Sequence, residues 1–401
     1  MNLLVLNSGS SSIKFSIFAA DSGSPRSLYE GEVLGIGSGK ATFSFHPSGE
    51  KSTPSSVQAQ DSDEAIDRVA DAVTQPGVPK VGAVGYRVVH PGPKLKDHVR
   101  ITDAVLKDLE HAVLLAPLHE PPALGIIEKT MKRLPDLPHF ACFDTIFHET
   151  MPKTATTYAI PSQYREQGVH RYGFHGLSCE SIVEQMRQHN IPIPHRMAIA
   201  HLGSGCSVTA LMDGRSVDTT MGLTPAGGVV MGTRPGDLDP GVVLYLLRQK
   251  KGDAKHGVDD VEQLLNHDCG IAALAELPND MRQTREAAAK GNEKAQLAID
   301  IFMSSVRKAL GSFAWQMGGI DTIVFTGGIG EHDAQSRAGI LEGLEGLGVQ
   351  VDPSLNDSEK KGTKGSFWQI SASESKTEIL CIPAKEDWMI AVHVQRMLGA
   401  S

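Results

Sequence analysis

The residues of this chain whose types and spacing could do chemistry fall in six short stretches. The first is Asn7-Ser8-Gly9-Ser10-Ser11-Ser12-Ile13-Lys14. Small residues let a backbone approach a phosphate, four hydroxyls can donate to it, and Lys14 adds a point charge. The spacing is not that of a Walker A loop, so the stretch also reads as an ordinary hairpin turn. Arg87 lies in Gly85-Tyr86-Arg87-Val88-Val89-His90-Pro91-Gly92 and Arg234 in Gly232-Thr233-Arg234-Pro235-Gly236-Asp237. A guanidinium set among Gly and Pro can aim its planar fork at a carboxylate or phosphate, or make a structural ion pair. Asp144 closes a strand pattern in Phe143-Asp144-Thr145. It could position a nucleophile, hold Mg²⁺ through hard oxygens, or cap the next segment. His175 is bracketed by glycines in Tyr172-Gly173-Phe174-His175-Gly176, and Glu386-Asp387 either complete a metal site or start a helix.

Those residues need elements to hold them. Leu3 to Leu6, Ile13 to Phe18, Leu28 to Val33 and Ala41 to Phe45 read as strands joined by tight turns, an antiparallel lead into a mixed sheet. A helix is expected over Gln58 to Val73, a buried strand over Val81 to Val89, and another over His139 to Phe143. Ile101 to Arg133 is mostly helical, with breaks expected at Pro117 and at Pro121-Pro122. A second opening follows at Met197 to His201: strand, small-residue turn over Gly203 to Ser207, returning strand over Val208 to Met212, and an Asp213-Gly214 hairpin signal. That order repeats residues 3 to 20, a weak internal duplication. Helical patterning covers Val261 to Leu277 and Met281 to Met317, and a short strand over Asp321 to Thr326 runs into Gly327-Gly328-Ile329-Gly330. Two similar units imply two lobes facing a cleft, with a nucleotide between them.

Composition excludes several classes. With 401 residues the chain has room for two or three domains, and 40% hydrophobic with 21% charged residues is an ordinary globular balance. Lys plus Arg number 38 against 47 Asp plus Glu, a net charge of −9, which argues against nucleic acid or an anionic membrane as partner. No signal peptide and no transmembrane run is expected. The five cysteines, Cys142, Cys179, Cys206, Cys269 and Cys381, lack metal or disulfide spacing and read as free thiols in a reducing cytoplasm.

Taken together and in order, the stretches above resemble the acetate kinase family (acetate and propionate kinases). Ala116-Pro117-Leu118-His119, His201-Leu202-Gly203, Met231-Gly232-Thr233-Arg234, Phe325-Thr326-Gly327-Gly328-Ile329-Gly330-Glu331 and Glu386 to Ala391 extend the resemblance over nearly the whole chain. It implies an α/β protein of two ribonuclease-H-like lobes of the actin-like ATPase and sugar kinase superfamily around a central cleft. The N-terminal lobe would span 1–150, with helix 386–401 packing on it, and the nucleotide-binding lobe 151–385. It implies a homodimer and reversible Mg²⁺-dependent (or Mn²⁺-dependent) phosphoryl transfer from ATP to a short carboxylate, with pyrophosphate as an alternative donor and propionate or butyrate as alternative acids. By position, Asn7 and Glu386 belong to the metal site, Arg87 and Arg234 flank the carboxylate and phosphoryl group, and His175 bonds a phosphoryl oxygen. Asp144 orients the acid or the metal. The acid pocket maps to Val89, Leu118, His119, Phe174 and Pro225. The nucleotide would meet Lys14, His201, Gly203, Ser204, Gly205, Asp280, Met281, Arg282, Gly328, Ile329, Gly330 and Glu331. Four positions depart from the family pattern: Ser204, Glu120 and His332 stand where Asn is usual, and Cys179 where His is usual.

Overall fold

A computed structural model describes residues 1–9, 11–21, 23–112, 120–249, 254–357 and 367–399. The chain divides into two compact units. Unit 1 comprises Met1–Ile146, Gly176–Ser181 and Lys385–Ser401; unit 2 comprises Phe147–His175 and Ile182–Ala384.

Unit 1 is built on eight strands: β1 (Asn2–Ser8), β2 (Ser12–Ala19), β3 (Arg26–Leu34), β4 (Thr42–Pro47), β5 (Ser55–Ser56), β6 (Val81–Val88), β7 (Val99–Arg100) and β8 (His139–Phe143). Their order is β5-β4-β3-β2-β1-β6-β8-β7. β1, β2 and β3 pair antiparallel, while β1, β6 and β8 run parallel, which is the ribonuclease-H-like arrangement. The run Leu3-Leu4-Val5-Leu6 lacks alternation because β1 is covered on both faces. Leu4 and Leu6 join Ile13, Phe15 and Ile17 against the helix Ser62–Val73, whereas Leu3 and Val5 meet Phe140, Cys142 and the helix Glu386–Gly399. Gly85 on β6 permits that last helix to lie close: a Cβ there would fall 2.7 Å from Val394 Cγ2 and 2.8 Å from Ile390 Cγ2.

Two boundaries differ from expectation. The helix expected from Gln58 begins at Ser62, because Asp61 caps the Glu64 N–H while the Glu64 carboxylate accepts from the Gln60 N–H (both 2.9 Å). Pro121-Pro122 does not break a helix; it occupies the first turn of Glu120–Arg133, where proline costs no hydrogen bond. Pro117 lies outside the described residues.

Unit 2 repeats the arrangement in six strands: β9 (Arg196–Leu202), β10 (Cys206–Met212), β11 (Arg215–Thr219), β12 (Thr322–Thr326), β13 (Trp368–Gln369) and β14 (Glu378–Cys381), in the order β11-β10-β9-β12-β14-β13. Again three antiparallel strands are followed by two parallel to the first. The turn after β9 is shorter than Gly203 to Ser207, since Cys206 and Ser207 already pair with Leu202 and His201. Asp213 (φ 52°) and Gly214 (φ 75°) form the hairpin turn, both left-handed, as a primed turn requires. The long helix Glu293–Met317 buries Ala295, Ala298, Ile299, Phe302, Val306, Leu310, Phe313 and Met317, one apolar stripe at helical spacing. No helix among the described residues is long and apolar enough to cross a membrane.

Candidate active site

In unit 1 the polar groups gather where the parallel strands end. Asn7 is the penultimate residue of β1, Arg87 lies near the end of β6, and Asp144 directly after β8. The two readings open for Arg87 and Asp144 meet in one another, because Arg87 Nη2 is ion-paired to the fully buried Asp144. Arg87 Nε also lies 3.8 Å from Glu386 Oε2. Burial by itself works against a charge on Arg87, but Asp144 and Glu386 outweigh it and hold the guanidinium more firmly protonated than usual. Asn7 Nδ2 donates to Asp387 Oδ1 (2.9 Å) and Glu386 Oε2 (3.3 Å), and Ser16 Oγ donates to Asp387 Oδ2 (3.2 Å). Burial, with Glu386 adding repulsion, raises the Asp387 pKa against the help of Asn7 and Ser16. Glu386 both starts its helix and faces this cluster. Lys14 is exposed on β2, and Val89 follows β6. Leu118 and His119 lie outside the described residues.

Unit 2 gathers a second set. His175 holds a left-handed backbone (φ 58°) at the residue before the helix Gly176–Gln188, a conformation a histidine keeps only when its surroundings impose it. Its ring stacks on His201 (centroids 4.1 Å apart), and Nδ1 is 3.0 Å from Ser207 Oγ. Gly205 lies against His175 and Arg234 together: a Cβ there would sit 3.5 Å from His175 Nε2 and 3.6 Å from Arg234 Nη1. Arg234 Nη1 donates to the carbonyl of the buried Pro225 (3.1 Å). Nearby, the Gly203 N–H donates to the Gly205 carbonyl (3.0 Å) and Asn279 Nδ2 donates to Ser204 Oγ (2.9 Å). Asp280 caps the helix Met281–Ala289 and pairs with Arg282, whose hydrogen bond holds the carboxylate down at about 2. The turn after β12 enters the short helix Gly327–His332, where Glu331 Oε1 accepts from the Gly327 N–H (2.9 Å) and the Ala384 N–H (3.0 Å). His332 is exposed.

Phe174 is buried and fixed from beneath by His148, whose Nε2 donates to the Phe174 carbonyl while Nδ1 accepts from Ser216 Oγ (both 2.9 Å). Burial pushes His148 from 6.5 down to about 4 despite that carbonyl. A site that keeps histidine neutral contributes stability that is complete above the unfolded value near 6.5 and is lost as pH falls toward 4. His148→Gln keeps a donor and an acceptor but cannot titrate. Between pH 7 and 5 it is expected to lose about 1–2 kcal/mol less stability than the parent, read from denaturant midpoints. Equal losses in both proteins would contradict the assignment.

Another group in unit 1, His98, Glu180 and His393, brings ligand-type atoms within 4.8 Å of one another. Its hydrogen bonds oppose a metal. His98 Nδ1 accepts from the Phe143 N–H (3.0 Å), leaving the proton of the neutral ring on Nε2, and His393 Nε2 donates to Glu180 Oε2 (2.8 Å). Burial, with His393 adding to it, pushes His98 down to about 2.

Sequence reading did not single out Ser16, Ser207, Asn279 or the fully buried Arg337. Arg337 donates to the Gly330 and Glu331 carbonyls (2.9 Å each) and through Nε to Asn356 Oδ1 (2.7 Å). Only Ser207 carried a signal, as the last residue of the small-residue stretch Gly203 to Ser207.

The sequence model of the acetokinase family matches residues 2–392. The acetate kinase of Desulfitobacterium hafniense (strain DSM 10664 / DCB-2) is 38% identical over 401 residues, covering 98% of each chain. That of Bacillus subtilis (strain 168) is 37% identical over 402 residues, covering 98% of this chain and 99% of the relative. A propionate kinase from Francisella tularensis subsp. tularensis SCHU S4 superposes with a TM-score of 0.87 at 34% identity, over 97% of this chain and 98% of the other. Porphyromonas gingivalis acetate kinase gives 0.85 at 31% identity over 99% of both.

Proposed function

The chain belongs to the acetokinase family, and on that premise we propose that it catalyses reversible Mg²⁺-dependent phosphoryl transfer from ATP to acetate, giving acetyl phosphate and ADP. The observation that supports the reaction best is the pairing of Arg87 with the buried Asp144 beside Glu386, at the carboxyl ends of adjacent parallel strands where open α/β sheets bind ligands.

At neutral pH acetate is already a deprotonated nucleophile, so the chain needs no general base. It must hold the carboxylate in line with the phosphorus and cancel charge as two anions meet. Arg87 orients the acid through its fork, itself aligned by Asp144. Arg234, tethered to the Pro225 carbonyl, neutralises the phosphoryl group. His175, whose Nδ1 is held 3.0 Å from Ser207 Oγ, is assigned to an equatorial phosphoryl oxygen. For the acid, the residues assigned are Val89 in unit 1 and, in unit 2, the buried Phe174 and Pro225. The turns at Gly203–Gly205 and Gly328–Glu331, with Asp280–Arg282, receive the nucleotide. In these last segments Glu331 and Asp280 act as braces, since each carboxylate holds backbone N–H groups of its own unit.

Asn7, Glu386 and Asp387 fit a hard divalent cation: they offer oxygen donors, and Asp387 carries a raised pKa that a nearby cation would relieve. Bound Mg²⁺ supplies charge neutralisation to the transferring group. A homodimer accords with the helix Pro240–Gln249, which buries no residue and leaves Val242, Leu244 and Tyr245 exposed. Tyr245→Asp is expected to shift the sedimenting species toward monomer, and an unchanged dimer would place the interface elsewhere. Cytoplasmic residence accords with five cysteines that form no disulfide among the described residues, four of them buried.

The likeness to a propionate kinase favours propionate as a second acid, since one methylene is worth only about 1–3 kcal/mol in a pocket. Trapping acyl phosphate with hydroxylamine, using Mg²⁺, each short acid and either ATP or pyrophosphate, tests the whole reading. Hydroxamate with ATP and acetate is the expected result. Product only with pyrophosphate overturns the donor, and product only with longer acids overturns the acceptor.

A further inference from the structure

Ser204 stands in the turn after β9 where the family pattern has asparagine, so the turn lacks a side-chain amide on its nucleotide side. An amide is nevertheless present at that position. Asn279, 75 residues on, donates from Nδ2 to Ser204 Oγ at 2.9 Å. Its seat is made by Gly232, whose N–H donates to the Ser204 carbonyl (3.0 Å). A Cβ on Gly232 would lie 2.7 Å from Asn279 Cγ and 2.8 Å from Nδ2, so any other residue at 232 would evict the amide. The backbone of Asn279 is held as well. It lies between Pro278 and Asp280, joined by an Asp280 N–H to Pro278 carbonyl bond of 2.7 Å, and Asp280 caps the following helix. Ser204 and Asn279 are both exposed, and the second amide hydrogen of Asn279 has no protein partner among the described residues.

We propose that Asn279, seated on Ser204 and Gly232, donates to the polyphosphate of the nucleotide in place of the asparagine absent at 204. A serine hydroxyl is too short to span what an asparagine at 204 would reach. As an acceptor, it instead fixes the rotamer of an amide delivered from the neighbouring loop, which makes Ser204 a positioning residue and Asn279 a binding residue. One hydrogen of the amide is committed to Ser204; the other is left for an anionic oxygen. Gly232 stands two residues before Arg234, so the loop that carries the guanidinium also seats the amide. The inference rests on the nucleotide-donor reading above.

The test is calorimetric binding of MgADP, and of magnesium pyrophosphate, to the parent, Asn279→Ala, Ser204→Asn and the double variant, with KM for ATP and for acetate measured on each. Asn279→Ala is expected to weaken MgADP and raise KM for ATP by about tenfold or more, leaving KM for acetate unmoved. Restoring the family residue in Ser204→Asn/Asn279→Ala is expected to return MgADP binding to within about threefold of the parent, a non-additivity that only a shared contact produces. Binding by Asn279→Ala equal to the parent's overturns the proposal, as does a double variant no better than the single one. A loss seen with MgADP but not with pyrophosphate would move the contact to the nucleoside and overturn the phosphate assignment. A parent that binds pyrophosphate but not MgADP would sink the donor reading and the inference with it, a result distinct from a binding parent with an indifferent variant.

Discussion

Arg87→Ala is expected to lower kcat by about 10³-fold or more, the scale on which an arginine stabilises a phosphoryl-transfer transition state. The same change is expected to destabilise the fold by about 3–5 kcal/mol, because it strands the buried Asp144 carboxylate without its cation and leaves Glu386 beside it. The two effects separate in Arg87→Met/Asp144→Asn. That variant removes both charges and is expected to recover much of the stability and none of the activity. Arg87→Lys keeps the charge but not the planar fork and is expected to fall between. Thermal melts and hydroxamate turnover on the four proteins check this. A well-folded Arg87→Ala with near-parental kcat would remove Arg87 from the chemistry.

Arg337→Leu is the second large effect. This guanidinium is fully buried, and its bonds go to the Gly330 and Glu331 carbonyls and to the side chain and carbonyl of Asn356. Burial lowers its pKa, although the hydrogen bonds around it use the charged form. Replacement by leucine leaves those carbonyls without donors in a dry interior, an expected cost of about 3–5 kcal/mol. The turn that Arg337 supports is the one assigned to the nucleotide. KM for ATP is therefore expected to rise about tenfold with KM for acetate near the parent's, as for a loosened supporting contact. Denaturant midpoints and the two KM values read the outcome. A parental midpoint would show that the guanidinium contributes little to holding the turn.

The sequence made much of the framework legible. Leu3 to Leu6, Val81 to Val89, His139 to Phe143 and Met197 to His201 are apolar-rich runs too short for helices, and each falls on a central strand, the second of which ends one residue early at Val88. Asp213-Gly214 announced its turn through the only residue types that take left-handed backbone cheaply. The repeated order of strand, small turn, strand and hairpin reappears as two sheets that share one five-strand core, β3-β2-β1-β6-β8 in unit 1 and β11-β10-β9-β12-β14 in unit 2. Proline misled at 121–122, because a residue that breaks a helix interior is welcome in its first turn.

The candidate site was legible only as separate stretches. Arg87, Asp144, His175 and Arg234 stood out by type and by their glycine-rich surroundings. No local pattern tied Asn7 to Glu386 and Asp387, some 380 residues away, or Asn279 to Ser204, or Arg337 to the carbonyls after β12. Apolar burial is written in short-range periodicity, since every second or every third to fourth residue must face a core; the sequence by itself therefore determined which segments become strands and helices, and the order in which they come. Which polar groups meet depends on the path of the folded chain. The tertiary structure alone decided that Asp144 neutralises Arg87, that Glu331 braces a turn, and that a neighbouring loop returns an amide to Ser204, because hydrogen bonds and ion pairs act over a few ångströms between residues whose separation in sequence is arbitrary.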